Sequence, residues 1–581
     1  MSAPSSSARR PTALAMAAAA LATFVFTAGL YGDLATHLGE HFPLTTFDRG
    51  HFRVYESVLG GDLGLVATDV AWPVGGHARV MGWVGIVMTG CFEIVCDPLA
   101  AYVLSVWCGP ALGAAFAVLL IRRLTTVGAI PAAILAPVAA LSPVVVGFLR
   151  SGQTAKSQLW TVELVLLVVV GLLERPRALQ LLALVAASAL VGVQAPPLAL
   201  LLPFAVLVPL LGQTVPWRGR LWRAGAVVLA VGLGVAGPAA YTASGVPPSG
   251  GGPVVRREPD DPVYLMIPAQ NPDSSVGGAR TPSVAEPRGS FLGPPAPGPL
   301  DAPDAGVHVT YLGVPLLALG VWAWRRRGAG RGFGAGLAAT GVAVAMGPYL
   351  AWGPAFVEVA GTRFPGLAYP LRLLHYPLSD SGLWYRALVL VGPGVVVLLA
   401  SGLSTLRGPW AARVAILIAL VLALDTVRAL SPLLPIPSES VAGRAELARI
   451  AADETRGAVL DLPFERSQLD AEAALLRAAL HRRPSSVVPN HTMLGIYPHL
   501  QRLDRELRAA LASSDVASAL RSLGFAWVIL DTEVVPPPPP NQRLERERAA
   551  PAAAVTEAAL SAGLGPPTSA GALRFWRVAG E

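Results

Sequence analysis

Charged side chains are scarce in this chain, 14% of its residues, and several fall where chemistry could be done. Four aspartates, Asp33, Asp48, Asp62 and Asp69, share the stretch 32–79. Glu163 is the one acid well inside a long apolar run, and Lys156 is the only lysine. Arg372, His375, Tyr385 and Arg386 gather ahead of another apolar run, and Gln153 precedes Lys156. A carboxylate within hydrogen-bond reach of a hydroxyl can take its proton. An arginine fork can hold two phosphate oxygens at once. Each residue also has a plainer reading. A loop aspartate can be solvated or cap a helix, and a base at the end of an apolar run can snorkel to lipid head groups.

The elements that must position these side chains are membrane spans. Mean hydropathy is +0.54, and a hydrocarbon core of about 30 Å needs about 20 mostly apolar residues per helix. Eleven stretches qualify, near 12–31, 98–121, 127–147, 158–173, 178–194, 196–212, 224–243, 308–324, 332–350, 387–405 and 410–428. The arginines of the short loops fall consistently on one side: Arg9 and Arg10, Arg122 and Arg123, Arg175 and Arg177, Arg218 to Arg223, Arg325 to Arg327, Arg407 and Arg413. The preference of such residues for the cytoplasm puts the N-terminus inside and the C-terminus outside. The Ala-rich run after Arg10 is expected to stay as an uncleaved first span. Residues 80–97 are apolar but flanked by Glu93 and Asp97, and are expected to lie at the outer interface or to dip in and return. Most of the net charge of +7 sits in the cytoplasmic loops. It is therefore a topology signal and not a nucleic-acid footprint.

Four pieces are left outside the membrane: 32–79, 244–307, 351–386 and everything after about 430. The second is crowded with Pro and Gly, as in Pro247-Pro248-Ser249-Gly250-Gly251-Gly252-Pro253, and reads as an irregular loop. The last has helical patterns at 441–455, 467–482 and 501–522, with strand-like runs at 458–462, 525–530 and 573–578. The expected fold class is an α-helical polytopic membrane protein. It divides into a transmembrane module, 1–429, and a C-terminal extracytoplasmic α/β domain, 430–581.

Gly61-Asp62 followed by Trp72-Pro73-Val74-Gly75-Gly76, Gly152-Gln153, Trp384-Tyr385-Arg386, Val459-Leu460-Asp461-Leu462-Pro463 and Leu523-Gly524-Phe525-Ala526-Trp527-Val528-Ile529 occur in that order along nearly the whole chain. In order and spacing they resemble an uncharacterised branch of the bacterial GT-C-type membrane glycosyltransferases. The resemblance implies transfer of a sugar from a polyprenyl-phosphate donor to an envelope glycan, lipid or protein acceptor at the outer face of the bacterial cytoplasmic membrane. It implies a catalytic base among Asp62, Asp33 and Asp69, with Asp62 favoured by the Gly-Asp motif. It also implies donor or acceptor contacts from Arg386, Arg372, Lys156, Gln153, Glu163, Tyr385 and His375.

The chain departs from the stronger members in one respect: its first outer loop has no Asp-x-Asp or paired Asp-Glu, so a divalent metal has no motif to hold it. Cys91, Cys96 and Cys108 lack the spacing and His partners of a zinc site. No phosphate loop, HExxH, Gly-x-Ser-x-Gly or dinucleotide fingerprint is present. Two other functions share the expected fold. One is a catalytically inactive scaffold that binds lipid-linked sugar, and the other is an envelope lipid or glycan transporter or flippase. Neither an inverted repeat in span lengths nor a midspan acid-base pair supports the transporter.

Overall fold

The computed structural model describes residues 6–32, 41–43, 46–59, 66–67, 77–78, 82–150, 152, 154–174, 176–211, 217–244, 312–346, 351–352, 355–356, 358–360, 362–370, 384–431, 434–436, 438–463, 468–487, 498–533 and 556–578. The helices of the first half are α1 (Ser6–Leu30), α2 (Thr46–Leu59), α3 (Trp83–Glu93), α4 (Pro98–Leu124), α5 (Ala129–Ala140), α6 (Pro143–Arg150), α7 (Thr154–Ser157), α8 (Trp160–Glu174), α9 (Ala178–Gln194), α10 (Pro196–Ala199), α11 (Leu202–Leu211) and α12 (Trp217–Ser244). Then come α13 (Val314–Arg325), α14 (Arg331–Ala345), a 3-10 turn (Trp384–Leu390), α15 (Val391–Leu403) and α16 (Trp410–Leu430). Short strands β1 (His41–Pro43), β2 (Val66–Ala67), β3 (His77–Ala78), β4 (Ala351–Trp352), β5 (Ala355–Phe356), β6 (Glu358–Val359) and β7 (Thr362–Arg363) lie between helices.

Among the described residues, five helical segments are long and apolar enough to cross a bilayer: Arg10–Leu30, Pro98–Leu124, Thr154–Glu174, Arg386–Leu403 and Trp410–Leu430. A sixth is counted if α5 and α6, bent by 47° at their junction, form one broken span. Large apolar side chains on α1 and α16, Leu14, Leu21, Leu417 and Leu424 among them, are exposed. A face of that kind is stable in lipid and a liability in water. The chain is a multi-pass membrane protein.

Several expected spans differ in detail. Residues 127–147 are not one straight helix, because Pro143 begins a new one. Residues 196–212 divide into α10 and α11, with Pro196 and Pro197 opening the first and Pro209 inside the second. Helix α3, within the segment 80–97, has 11 residues, about 16 Å at 1.5 Å per residue and so well short of a hydrocarbon core.

Local chemistry explains the best-formed helix. Asp97 caps α4, its Oδ1 accepting from the N–H groups of Leu99 (3.0 Å) and Ala100 (3.4 Å). Pro98 takes the first helical position and Arg122 and Arg123 the last turn, so both ends suit the helix dipole. Where α14 and α15 cross, a Cβ on Gly334 would come within 2.6 Å of Gly394 O. Small residues let the two backbones touch, the usual source of helix contact in lipid.

The ends of the bundle differ. At one, Arg123 pairs with Glu174, and Arg223 donates to the last-turn carbonyl of Leu173 at 3.0 Å. At the other, Asp97 meets Arg444 at 3.2 Å, and the C-terminal part is docked there. That part runs β8 (Ser438–Ser440), α17 (Arg444–Ala452), β9 (Ala458–Leu462), α18 (Gln468–His481), α19 (Pro498–Leu511), α20 (Val516–Ser522), β10 (Phe525–Asp531), β11 (Thr568–Ala570) and β12 (Leu573–Arg577). Its sheet order is β11-β12-β10-β9, with β9 and β10 parallel and the other pairs antiparallel. The strand-like runs read from the sequence coincide with β9, β10 and β12. All five residues of β9 and the first six of β10 are buried, which explains their near-continuous apolar character.

Candidate functional site

The docked end is built around aromatic side chains. Phe52 and Tyr55 of α2 both pack on Tyr102 of α4, with ring centroids 5.5 Å apart in each pair. Phe24 and Tyr31 close on Trp107 one turn further, each at 5.8 Å. Helix α3 approaches closely because Gly82 and Gly85 face Tyr55, whose hydroxyl a Cβ at either position would strike.

Tyr102 also leads to Lys156. Its hydroxyl lies 3.5 Å from Thr154 Oγ1 at the start of α7. Gln194, ending α9, donates through Nε2 to Ala155 O at 3.3 Å and accepts through Oε1 from the Val84 N–H at 2.8 Å. The four residues of α7 are buried and tied in this way to α4 and α9, and through Gln194 to α3. The Lys156 ammonium stands 6.0 Å from the centroid of the Phe148 ring, within cation–π range. Arg386, in the 3-10 turn leading into α15, is also buried and near enough to Lys156 to act on it electrostatically. Beside that turn, Ser142, Leu312, Leu388, Gly392 and Asp425 line a crevice of about 40 Å³.

Of the residues singled out by sequence, the structure therefore brings Lys156 and Arg386 together. Glu163 is on α8, buried and further along the same helical segment, and its Oε2 has no hydrogen-bond partner among the described residues. Tyr385 is placed by its backbone in the 3-10 turn beside Arg386. Asp48 falls on α2 by its backbone. Asp33, Asp62, Asp69, Gln153, Arg372 and His375 lie outside the described residues. The three cysteines are free thiols. Among the described residues no group of three or more His, Cys, Asp or Glu side chains is placed to hold a metal ion.

One acid of the stretch 32–79 is not singled out by the sequence motifs. Glu56, on the buried face of α2, makes an ion pair with Arg482 at 2.8 Å, and Glu93 of α3 stands 3.9 Å from the same guanidinium. Burial, together with the hydrogen bond and the charge of Glu93, pushes the Glu56 carboxyl up to about 8, against the opposing pull of Arg482. One turn earlier, Arg53 donates to Ala478 O (2.9 Å) and Arg483 O (3.2 Å) at the end of α18. The signal was available: Phe52, Tyr55 and Glu56 recur at helical spacing, which puts this acid on the apolar face of an amphipathic helix.

No family model matches this chain, and no curated protein does. Among solved structures it is similar to ArnT from Cupriavidus metallidurans in the apo state, with 12% identity and a TM-score of 0.45, over 96% of this chain and 98% of that one. It is similar to the arabinofuranosyltransferase AftD from Mycobacteria, with 18% identity and a TM-score of 0.43, over 92% of this chain but 37% of that one. The apo oligosaccharyltransferase of Archaeoglobus fulgidus is matched with 11% identity and a TM-score of 0.41, over 89% of this chain and 70% of that one. At such identities, and with TM-scores below 0.5, these likenesses carry neither residues nor activity over to this chain. The solved structures it is similar to are glycosyltransferases of the GT-C type, the superfamily that its sequence motifs resemble.

Proposed function

We propose that this protein is a membrane glycosyltransferase that moves a sugar from a polyprenyl-phosphate donor to a cell-envelope acceptor at the extracytoplasmic face of the bacterial cytoplasmic membrane. In this reading eleven spans leave the N-terminus in the cytoplasm, the module 1–429 holds the donor, and the domain 430–581 stands outside beside it. The observation that carries the reading is the buried pair Lys156 and Arg386 at the docked end of the bundle. A buried lysine and a buried arginine near each other both gain from an anion between them. A phosphate held at the membrane surface by a lipid tail arrives at that depth.

The proposed division of labour gives the base to an aspartate of the first outer loop, Asp62 before Asp33 and Asp69, and the phosphate to Lys156 and Arg386. Arg372, Gln153, Tyr385, His375 and Glu163 are proposed to contact the donor or the acceptor. The test is turnover of radiolabelled polyprenyl-phosphate sugars by purified protein in liposomes. Lys156→Gln and Arg386→Gln are each expected to weaken donor binding roughly tenfold, the loss of about one charge-assisted contact. Full affinity in both variants would remove the phosphate role. In the same assay Asp62→Asn is expected to lower the rate with donor affinity kept. An unchanged rate there, with a loss in Asp33→Asn or Asp69→Asn, would move the base to that residue.

A further inference from the structure

The parallel strands β9 and β10 have two edges, and the structure treats them differently. At their C-terminal edge, where open α/β sheets commonly bind ligands, Asp461 and Asp531 are joined through Arg477. At their N-terminal edge lies a cleft of about 650 Å³ lined by Glu454, Arg456, Gly457, Arg483, Arg521 and Phe525, with further residues between them. That volume is within the range of small-ligand sites.

The backbone keeps the cleft open. Gly457 has φ +143° and Gly524 φ +84°, and a Cβ on Gly457 would come within 2.7 Å of Ala526 Cβ. The wall is fixed by Arg483, whose guanidinium donates to Ile450 O at 2.8 Å and also to the carbonyls of Thr455 and Asp453. Those carbonyl partners leave its charge in place. Asp453, the nearest acid behind the wall, is already engaged by Arg577 at 3.1 Å and by the Trp527 indole at 2.9 Å. The lining thus sets three arginines against one glutamate over an apolar floor of Ala458, Pro484, Phe525 and Val578. Arg456 and Arg521 are exposed at its rim.

We propose that this cleft binds a sugar unit carrying a carboxylate or phosphate group. The guanidinium rim takes the anion, and the apolar floor takes the C–H face of the ring. The proposal goes beyond the transfer reading and rests on it only in naming the ligand a sugar. The cleft shares no lining residue with the proposed donor site, so each can fail without the other.

The experiment is calorimetric titration of the full-length protein in detergent with glucuronate, glucose 6-phosphate, glucose and inorganic phosphate, at low and high salt. Both anionic sugars are expected to bind and glucose to fail. Affinity is expected to fall tenfold or more in the double variant Arg456→Ala/Arg521→Ala and to weaken with salt. Arg505→Ala, an exposed arginine of α19 outside the cleft, is expected to bind as wild type does. The absence of saturable binding would overturn the proposal, as would equal binding by the double variant. Inorganic phosphate binding as tightly as glucose 6-phosphate would overturn the assignment to a sugar. Loss of liposome turnover with cleft binding intact would count against the transfer reading alone.

Discussion

Arg477→Ala is expected to destabilise the C-terminal part by about 3–5 kcal/mol, the usual cost of breaking a buried ion pair from one side. Arg477 of α18 grips Asp461 with two donors, Nε at 3.2 Å and Nη2 at 2.9 Å, and reaches Asp531 with Nη1 at 3.1 Å. Asp461 is fully buried on β9, and Asp531 ends the neighbouring strand β10. Burial opposes the charge on Arg477, but the pull of both carboxylates more than reverses this and raises its pKa above the ordinary value. Removing the cation leaves two like charges on adjacent strands, one of them without water. Replacing all three by apolar residues of similar size, Arg477→Met with Asp461→Leu and Asp531→Leu, is expected to recover most of the loss, because the desolvation cost then disappears with the charges. The measurement is denaturant unfolding followed by the fluorescence of Trp527 and Trp576, both in this sheet. A loss under about 1 kcal/mol in Arg477→Ala, the range of solvent-exposed pairs, would mean that the group is hydrated in the folded protein.

The second large effect is a stability plateau between about pH 4.5 and 6.5 with a fall on either side, produced by two buried groups of opposite kind. Glu56 is raised from 4.5 to about 8, so its contribution is present below pH 4.5 and is lost as the pH rises to about 8. His481 is lowered from 6.5 to about 3, first by burial and then by Arg53, with Asp461 opposing and Arg483 and Arg477 adding. Its contribution is present above pH 6.5 and is lost as the pH falls toward 3. Between pH 4.5 and 6.5 the two slopes cancel. Each limb covers about 1.5 pH units and is therefore on the order of 2 kcal/mol at 1.36 kcal/mol per pKa unit. Glu56→Gln keeps the shape of the protonated acid and is expected to abolish the alkaline fall while leaving the acid one. His481→Gln is expected to do the reverse. Thermal unfolding midpoints across this range in detergent check both, and an alkaline fall that persists in Glu56→Gln would assign that limb to another group.

Glu56 and His481 sit on either side of the same docking contact, which bears on how the protein is assembled. Glu56 and Arg53 of α2 reach Arg482 and the end of α18, while β1 pairs antiparallel with β8. Helix α2 and strand β1 are thus tied to the C-terminal part by polar contacts. Of these, the Glu56–Arg482 pair follows protonation, unlike the aromatic packing on Tyr102.

The sequence by itself determined that the chain lives in a bilayer, which stretches are apolar, where the arginines fall, and that β9, β10 and β12 are strands. These are local properties: a run of apolar residues, a period of 2 or 3.6, or a bias at a span end is written in neighbouring residues. Tertiary structure decided the rest. Whether 127–147 is one helix or two turned on how α5 and α6 pack beyond Pro143, and the helix of 46–59 within a supposed loop needed Tyr102 and α18 to bury its apolar face. Lys156 and Arg386 are separated by more than two hundred residues, as are Glu56 and Arg482. Their meeting depends on helices folded back through the bundle. Burial, which turns an ordinary glutamate or histidine into a group with a shifted pKa, is a property of that packing and has no local signature.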